Sequence, residues 1–376
     1  MYLCYNTFVE IPSKTVYVGL SGGVDSSVSA ALLKEAGFNV VGVFIKVWQP
    51  DWQECNWRDD RLDAMSVCAK LGIPFKMLDL TEEYKREVVD YMIDEYKRGR
   101  TPNPDVMCNR YVKFGGFFDW AMREGADFVA TGHYAQVVRV VGGDGRITHH
   151  LYAARDKEKD QSYFLWTLTG HQLSKTLFPI GHLIKKTEVR ALAAKFGLST
   201  AEKKDSQGLC FIGKINMKDF LKHYISEKIG DVIDAETGGV IGSHTGVCFF
   251  TLGERHGFTI SKKTPTDQPY FVVGKDVATN TLIVSQKRSS VDSGDTASRV
   301  YVTNISWTGD GILSAGVTLS ARIRYRQKLH ECGVETTNGQ TIIHFIEPQT
   351  AVAPGQSIVL YSGEECLGGG IIDRTE

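Results

Sequence analysis

Short runs of apolar, mostly β-branched residues alternate with longer segments of mixed polarity through the first third of the chain. Four of these runs have the length and composition of buried strands: 16–20, 40–47, 75–80 and 127–130. The segments between them predict helices, chiefly 60–71, 82–98 and 109–124. This alternation predicts an α/β domain with a parallel, doubly wound sheet, which binds its ligand at the carboxyl ends of the strands.

The first predicted strand ends in a turn made almost entirely of glycine, hydroxyl and carboxylate residues, Ser21-Gly-Gly-Val-Asp-Ser26. A helix capped by Asp25 or Ser26 is predicted to follow it. The glycines allow close approach to the backbone, and the N–H groups and dipole of a helix N-terminus favour a phosphate. Asp25 could hold a Mg²⁺ ion bound to that phosphate. The turn predicts a nucleotide-phosphate site, although it lacks the lysine of a Walker A loop.

Two other predicted strands end close to this turn if the sheet is doubly wound. Ile45 lies at the end of the second strand, and Thr131-Gly-His-Tyr134 follows the fourth. Gly132 would let an adenine or ribose approach the backbone. His133 is predicted either as a polar contact in the same crevice or as a structural histidine, and the sequence does not separate these two roles.

The composition of the chain changes after about residue 220, where glycine, threonine and short β-branched runs become frequent. A hairpin is also predicted earlier, from 137–141 and 147–153 around a glycine-rich turn. We predict a catalytic domain over residues 1–216, a small central β-rich domain over 217–288 and a C-terminal β-barrel over 289–376. Residues 1–14 are treated as a short extension.

The net charge and the distribution of cysteines argue against some kinds of protein and favour others. The formal net charge is −1, so a nucleic-acid partner would need local basic patches rather than an overall field. None of the eight cysteines forms a C-x-x-C pair, which argues against a zinc ribbon. Scattered cysteines, no signal-peptide pattern and no run of eighteen apolar residues predict a cytoplasmic protein without a membrane anchor.

Two cysteines lie in segments that suggest chemistry. Cys108 follows two prolines and is predicted at the start of a helix, where the helix dipole would stabilise a thiolate. Asp105, three residues earlier, is close enough to act as an acid–base group. Cys210 lies in a loop-like stretch that begins with Lys203 and Lys204. A buried structural role remains the alternative for each cysteine.

The turn at residues 21–26 resembles the S-G-G-x-D-S loop of the PP-loop ATP pyrophosphatases. Four longer motifs narrow the resemblance: N-P-D-x-x-C-N at 103–109, T-G-H-Y-A at 131–135, K-D-Q-S-Y-F-L at 159–165 and K-D-S-Q-G-x-C-F-I-G at 204–213. Together they resemble the tRNA-specific 2-thiouridylase family, and the similarity extends over roughly residues 15–372. Glu254 and His256 depart from that family's usual glutamine and lysine, and Ile45 replaces its usual methionine.

The resemblance implies a site made of three groups of residues. The ATP site would comprise Gly19, Leu20, Ser21, Gly22, Gly23, Val24, Asp25, Ser26, Ile45 and Gly132. Cys210 would carry a persulfide, and Cys108 would resolve it by forming a disulfide, with Asp105 assisting proton movement. The substrate tRNA would be contacted by Asn103, Pro104, Asp105, His133, Lys159, Asp160, Gln161, Arg324, Tyr325 and Gln356.

The reaction implied is ATP-dependent 2-thiolation of the wobble uridine, position 34, with release of AMP and pyrophosphate. The implied cofactors are ATP and Mg²⁺. An iron–sulfur cluster on Asp105, Cys108 and Cys210 is kept as an alternative mechanism. The implied partners are the tRNAs for Lys, Glu and Gln, and a persulfide donor or relay protein fed by a cysteine desulfurase.

A basic segment near the C-terminus favours RNA binding independently of the resemblance, with a solvated barrel strand as the alternative. Arg322, Arg324, Arg326 and Lys328 alternate with Ile323 and Tyr325, which predicts a strand with several positive charges on one face. Two other functions remain open on the residues alone. A PP-loop amidotransferase or ligase would need neither cysteine, and a nucleotide-sensing RNA-binding module would release no AMP.

Overall fold

The computed structural model describes residues 3–4, 14–52, 57–204, 210, 216–261, 268–286, 296–308 and 318–376. The predicted boundary at residue 288, most of residues 1–14 and most of the 204–213 motif lie outside these described residues. Of that last motif, Lys204 and Cys210 are described.

Nineteen strands are found in the described part of the chain. They are β1 Leu3–Cys4, β2 Thr15–Gly19, β3 Asn39–Lys46, β4 Phe75–Asp79, β5 Phe128–Ala130, β6 Ala135–Val141, β7 Ile147–Ala153, β8 Thr176–Leu177, β9 Gly230–Asp234, β10 Val240–His244, β11 Thr259–Ile260, β12 Phe271–Asp276, β13 Thr281–Ser285, β14 Thr296–Trp307, β15 Leu319–Arg322, β16 His330–Thr337, β17 Gln340–Thr350, β18 Ser357–Ser362 and β19 Glu365–Thr375.

The helices lie mostly in the first domain. α1 is Val24–Glu35 and α2 is Trp57–Leu71. α3 is a continuous helix made of Thr81–Tyr84, Lys85–Asp90 and Tyr91–Lys97, and α4 is made in the same way of Pro104–Met107, Cys108–Phe117 and Phe118–Arg123. α5 is Gly170–Ser174, α6 joins Lys185–Val189 to Arg190–Lys195, and α7 is Met217–Lys222.

The first domain contains the parallel sheet that the sequence predicts. Its order is β4-β3-β2-β5-β8, and every pairing in it is parallel. All four predicted strands are confirmed, and β8 is an additional two-residue strand too short to leave a sequence pattern. Alternate residues of β2 enter different cores: Val16 and Val18 pack on one face and Tyr17 on the other. From β2 the chain adds β3 and β4 on one side and then crosses back to add β5 on the other side of β2, so the strand order reverses at β2 and β5 and their carboxyl ends form the expected binding crevice.

The helix that carries Cys108 begins earlier than the sequence analysis predicts. Asn103 is its N-cap, with Oδ1 accepting a hydrogen bond from the Val106 N–H at 3.3 Å, and Pro104 occupies the first turn. Cys108 therefore lies past the first turn, away from the free N–H groups. The segment Cys108–Phe117 has wide i→i+5 turns, and the side-chain amide of Gln172 donates to the Phe114 carbonyl at 2.6 Å.

The two C-terminal domains are β structures, as predicted. β11-β10-β9-β13-β12 form the central five-stranded sheet, in which β9 and β13 are parallel. In the last domain β14, β17, β16, β15, β18 and β19 pair in a closed ring, because β19 bonds to both β18 and β14. This six-stranded closure leaves the barrel without free edges among its own strands.

The predicted hairpin is confirmed as β6 and β7, with Val141 opposite Ile147. Its role was not predicted. Leu151 and Tyr152 of β7 pair with Cys366 and Glu365 of β19, so the hairpin of the first domain extends the sheet of the barrel. The first and last domains therefore share backbone hydrogen bonds.

The predicted basic strand is wrong. β15 ends at Arg322, and the chain turns immediately, with Arg326 at a φ of +64°. Arg322 is buried and its guanidinium lies 3.3 Å from the Asp160 carboxylate. The alternation of charged and apolar residues resembles a strand, but burial of Arg322 against Asp160 and the turn that follows prevent a row of charges on one face.

The barrel also holds the proline loop, residues 101–105, which leads into α4. The Thr101 N–H donates to the Pro354 carbonyl at 2.8 Å. The Gln356 amide donates to the carbonyls of Thr101 and Pro102, both at 3.0 Å. The Arg100 guanidinium lies against Asp373 at 3.0 Å. The position of the proline loop therefore depends on the barrel, 250 residues away in sequence.

None of the helices in the described part of the chain has the length and apolar character needed to cross a membrane.

The packing between the proline loop and the barrel predicts that a side chain at Gly355 destabilises the protein. A Cβ at Gly355 would lie 2.9 Å from the Thr101 carbonyl oxygen, and its φ is +94°. Gly363 is the matched control, because its φ is +57° but its Cβ would meet nothing within 4 Å. We expect Gly363→Ala to lower the free energy of unfolding by about 1 kcal/mol and Gly355→Ala by about 3 kcal/mol, measured by urea denaturation. Equal effects of the two substitutions would contradict the packing argument.

Candidate active site

The glycine loop, Ser21–Ser26, connects β2 to α1 at the centre of the sheet. Gly22 has a φ of +72°, and a Cβ there would lie 2.5 Å from the Asp60 carbonyl oxygen of α2. Glycine is required at this position both by the backbone conformation and by the neighbouring helix. The Ser26 hydroxyl accepts from the Ser21 N–H at 3.2 Å and donates to the Gly23 carbonyl at 3.2 Å. The loop is therefore held in one shape by its own hydroxyl groups.

Gly132 lies directly against this loop, after the end of β5. A Cβ at Gly132 would lie 2.6 Å from the Ser26 backbone nitrogen and 2.8 Å from the Asp25 carbonyl carbon. The sequence analysis assigns this glycine to the approach of a nucleotide. In the structure the group that approaches it is the backbone of the glycine loop itself. Gly132 thus allows the segment after β5 to lie directly against the glycine loop at the start of α1.

Asp25 does not present a free carboxylate. Its Oδ2 lies 2.8 Å from the Nζ of Lys185, and its Oδ1 accepts from the Tyr134 hydroxyl at 2.7 Å. Lys185 is buried, and its contact with Asp25 joins residues 160 positions apart in the sequence. Because a cation and a phenol engage both oxygens, the carboxylate as placed does not offer the ligand set that Mg²⁺ prefers.

The second cluster is the thiol site, which comprises Asp105, Cys108, Lys113 and Cys210. The Asp105 Oδ1 accepts a hydrogen bond from the Cys210 N–H at 3.1 Å. The Tyr84 hydroxyl of α3 donates to the Cys210 carbonyl at 2.8 Å. Both cysteines are free, and a hydrogen bond joins their sulfur atoms. The structure therefore brings together the three residues that the sequence analysis singles out, although Cys210 is about 100 residues distant.

The two thiols have opposite electrostatic character. Burial raises the pKa of the Cys108 thiol well above its usual range, and its hydrogen bond to Cys210 raises that pKa further. The same hydrogen bond lowers the pKa of Cys210 to about 7, and the charge of Lys113 acts in the same direction. The expectation of a helix-stabilised thiolate at Cys108 is therefore wrong, because Cys108 is buried beyond the helix N-terminus. The readily ionised thiol is Cys210.

Lys113 is the residue of this site that the sequence analysis misses. Its Nζ lies 3.3 Å from the Nε2 of His133, and its side chain forms a hydrogen bond with Cys210. His133 is buried, and its Nδ1 lies 2.7 Å from the Thr131 hydroxyl. Cys108 and Lys113 are five positions apart, which suits one face of a wide helix. An i, i+5 pair does not follow ordinary helix periodicity, so the sequence contains little signal for it.

The thiol site does not fit an iron–sulfur cluster. In the described part of the chain, no group of three or more His, Cys, Asp or Glu side chains is arranged so that it could hold a metal ion. A lysine ammonium interacts with the Cys210 sulfur, and the Asp105 carboxylate accepts from a backbone N–H. Burial raises the pKa of Asp105, while the hydrogen bond from Cys210 and the charge of Lys113 oppose this rise. Such a carboxyl group suits proton exchange.

Several residues predicted to contact tRNA make internal contacts. Asp160 is buried and accepts from the Ser162 N–H at 3.1 Å as well as pairing with Arg322. The Gln161 Oε1 accepts from the Tyr134 N–H at 2.9 Å. Gln356 holds the proline loop, and His133 belongs to the thiol site. These residues support the site from within.

Three other predicted contact residues remain at the surface. Arg324 is exposed, and its guanidinium donates to the Ala351 carbonyl at 2.6 Å. Tyr325 is partly buried, with its ring centroid 4.6 Å from that of Phe164. Lys159 is partly exposed. Ile45, in contrast, is buried in the core of the first domain and lies beside Gly19.

Of the departures at Glu254 and His256, the first has a structural role in the central domain. The Glu254 carboxylate lies 2.6 Å from the Nζ of Lys218, and its other oxygen accepts from the Thr251 N–H at 3.1 Å. The His256 carbonyl also accepts from Lys218, at 3.3 Å. Glu254 therefore pairs with a lysine of α7, whereas the contact at position 256 uses only the backbone carbonyl and does not depend on the histidine side chain.

The parallel sheet, the glycine loop at the end of its central strand and the closed C-terminal barrel define a class of protein, the PP-loop enzymes with appended β domains. Three family models match consecutive parts of the chain. Residues 14–214 match a tRNA methyl transferase HUP domain, 218–286 a tRNA methyl transferase PRC-barrel domain and 297–372 an aminomethyltransferase beta-barrel domain.

Relatives that match nearly the whole chain identify the family. A tRNA-specific 2-thiouridylase MnmA of Pseudomonas fluorescens is 47% identical, over 98% of this chain and 96% of its own length. A protein of the same name from Enterococcus faecalis is 44% identical, over 96% of each chain. Among solved structures, a 4-thiouridine synthetase–RNA complex with bound ATP matches with a TM-score of 0.37 and 18% identity, over 56% of this chain and 50% of that chain.

The chain belongs to the tRNA-specific 2-thiouridylase family, whose members are PP-loop, ATP-using tRNA-uridine 2-sulfurtransferases. This membership favours a sulfurtransferase over the amidotransferase, ligase and non-catalytic binding module that the residues alone leave open.

The contact between Gly132 and the glycine loop yields a prediction about ATP. In Gly132→Ala the new methyl group must displace the Ser26 backbone by several tenths of an ångström, so we expect ATP affinity to fall roughly tenfold or more. Gly143→Ala is the control, because a Cβ there meets nothing within 4 Å. Binding is measured by isothermal titration calorimetry. Unchanged affinity in Gly132→Ala would show that this contact does not shape the nucleotide site.

Proposed function

We propose that this chain 2-thiolates uridine 34, the wobble position of its tRNA, in two steps. In the first, O2 of the uracil attacks the α-phosphorus of ATP, pyrophosphate leaves and an O2-adenylated base results. In the second, the terminal sulfur of a persulfide on Cys210 attacks C2, and AMP leaves with the former O2. Adenylation makes that oxygen a leaving group, which an unmodified carbonyl oxygen is not.

One observation carries this proposal: consecutive residues connect the glycine loop to the thiol site. Gly132 lies against the Ser26 backbone, and the next residue, His133, is 3.3 Å from Lys113 of the thiol site. Consecutive Cα atoms are about 3.8 Å apart, so the two clusters are neighbours in one crevice. A base activated by ATP at the glycine loop would lie within reach of a sulfur on Cys210.

The different burial of the two cysteines supports a division of roles. Cys210 is only partly buried and has the lower pKa, which suits the sulfur that is loaded by an external donor. Cys108 is fully buried beside it. After C2 has bonded to the terminal sulfur, Cys108 attacks the Cys210 sulfur, a Cys108–Cys210 disulfide forms and the thio group stays on C2. A dithiol reductant then returns both cysteines to thiols.

Asp105 suits the proton transfers in this sequence. Its carboxyl group is next to Cys210, and burial raises its pKa. We propose that Asp105 accepts the proton that leaves the Cys210 persulfide when the persulfide attacks C2. It would also accept the proton that leaves Cys108 when that thiol attacks the Cys210 sulfur. Asn103 and Pro104 lie at the start of α4, the helix that carries Asp105, and would contact the target base. That base must leave the anticodon stack to reach the crevice.

Arg324, Tyr325 and Lys159 are proposed as surface contacts to tRNA. Arg324 supplies a charge for a phosphate, and the partly exposed ring of Tyr325 suits stacking on a base. His133, Asp160, Gln161 and Gln356 would act on tRNA binding indirectly, through the crevice and the proline loop. The proposed tRNAs are those for Lys, Glu and Gln.

Mg²⁺ is proposed to enter with ATP as the counterion of its phosphates. For Asp25 to become a ligand of that ion, its carboxylate would have to release Lys185 or Tyr134. The proposed sulfur source is a persulfide relay protein fed by a cysteine desulfurase. Because each turnover ends in a disulfide, we place the enzyme in a reducing compartment, the cytoplasm.

The experiment that tests this function is a nucleoside analysis of tRNA after incubation with the protein. Unmodified tRNA, ATP, Mg²⁺ and a persulfide source are supplied, and 2-thiouridine is measured by mass spectrometry alongside AMP. We expect Cys210→Ser to lose thiouridine by at least a hundredfold, because no persulfide can form, while adenylation persists. In Cys108→Ser we expect the reaction to stall after C2 has bonded to the terminal sulfur, because the Cys108–Cys210 disulfide cannot form.

Cys332→Ser is the matched control for these variants. Cys332 is buried in the barrel, where burial raises its pKa to about 12, so it takes no part in thiol chemistry. Thiouridine formation in Cys210→Ser would overturn the assignment of the sulfur carrier. Absence of both AMP and thiouridine with the unmodified chain would favour a binding module instead.

A further inference from the structure

A partly buried lysine ammonium beside a thiol is an unusual arrangement. Lys113 is in the wide-turn segment Cys108–Phe117 of α4; its side chain forms a hydrogen bond with Cys210, and the charges of Cys108 and Asp105 act on it as well. Transfer of an ammonium group from water to the interior is costly unless the group is paired with an anion or hydrogen-bonded. The anion that compensates Lys113 must therefore come from the groups around it.

Those groups can be named from each element that packs on the site. They are Asp105 and Cys108 from α4, Cys210 from its loop, Tyr84 from α3 and His133 after β5. Tyr84 is protonated, because burial and the nearby Cys108 and Cys210 raise its pKa well above the usual range. The remaining candidates for the anion are Asp105 and the two sulfur atoms.

His133 fixes the direction of the Lys113 ammonium. Burial, together with the charge of Lys113, holds the pKa of His133 well below its usual range, so the imidazole is neutral. A neutral ring that accepts from Lys113 at Nε2 carries its proton on Nδ1, and that proton is donated to the Thr131 hydroxyl at 2.7 Å. One ammonium proton is thus engaged by His133, and the ammonium also forms a hydrogen bond with Cys210.

The charge balance selects Cys210 as the partner. Burial alone would lower the pKa of Lys113, but the groups around it outweigh burial and the pKa is raised; the charge of Cys210 is the largest of these opposing effects and that of Asp105 the smallest. Cys108 remains a neutral thiol that donates its proton to Cys210. The Cys210 sulfur therefore receives hydrogen bonds from both a neutral thiol and an ammonium.

We propose that Lys113 is a further catalytic residue, whose ammonium holds the sulfur carried by Cys210 as an anion and directs it into the crevice beside the glycine loop. The same contact serves the free thiolate and the terminal sulfur of a persulfide, since both are soft anions on one side chain. The part of this role that concerns sulfur transfer rests on the proposed function. The ion pair itself does not.

The ion pair is tested by alkylation of the full-length protein without tRNA or ATP. The rate of Cys210 modification by iodoacetamide is followed by peptide mass spectrometry from pH 5.5 to 10. A thiol whose pKa is lowered reacts as its anion above that pKa, so the unmodified chain should show a midpoint at about 7. In Lys113→Met we expect the midpoint to rise by about one pH unit, which at pH 6 is a roughly tenfold slower reaction.

Two variants and one internal check separate charge from structure. Lys113→Arg keeps the cation and should keep the low midpoint, whereas Lys97→Met, at an exposed lysine of α3, should behave as the unmodified chain. Above pH 9.5, where Cys210 is ionised in every variant, the rates should converge if access to the sulfur is unchanged.

An unchanged midpoint in Lys113→Met would overturn the proposal. So would rates that fail to converge at high pH in both Lys113→Met and Lys113→Arg, because that result indicates a structural role. Failure of the proposed function looks different: the unmodified chain would form no 2-thiouridine while its alkylation midpoint stayed near neutral pH.

Discussion

The close approach of Gly132 to the Ser26 backbone is the constraint on which the site depends. A side chain of any size at this position would separate the segment after β5 from the glycine loop. Because they are close, the next two residues reach both halves of the site: His133 contacts Lys113, and the Tyr134 hydroxyl contacts Asp25. One short segment after β5 therefore holds the nucleotide loop and the thiol site in register.

Burial and charge then distinguish two cysteines that look alike in the sequence. Cys108 loses its solvent and stays protonated, while Cys210 gains a hydrogen bond from Cys108 and the field of Lys113. This difference suits the division of roles proposed for the two cysteines, in which an external donor loads Cys210 and Cys108 reacts second.

The barrel contributes to this site although it lies at the other end of the chain. Gln356 and the Pro354 carbonyl hold the proline loop, and Arg322 closes on Asp160 of the first domain. β7 and β19 share a sheet edge, which makes the two domains one hydrogen-bonded structure. Binding of RNA to the barrel surface would therefore act on the loop that positions Asp105 and Cys108.

Local patterns in the sequence determined the parallel sheet, the glycine loop, the hairpin and the β character of the C-terminal half. Each depends on the spacing of apolar residues or on backbone conformations that few residue types adopt. Only the tertiary structure decided that Cys108 is buried past the helix start, that Arg322 leaves the surface and that Lys113 and Lys185 face anions. These outcomes depend on desolvation and on contacts between residues far apart in the sequence, such as 113 and 210. No local sequence pattern encodes desolvation or such contacts.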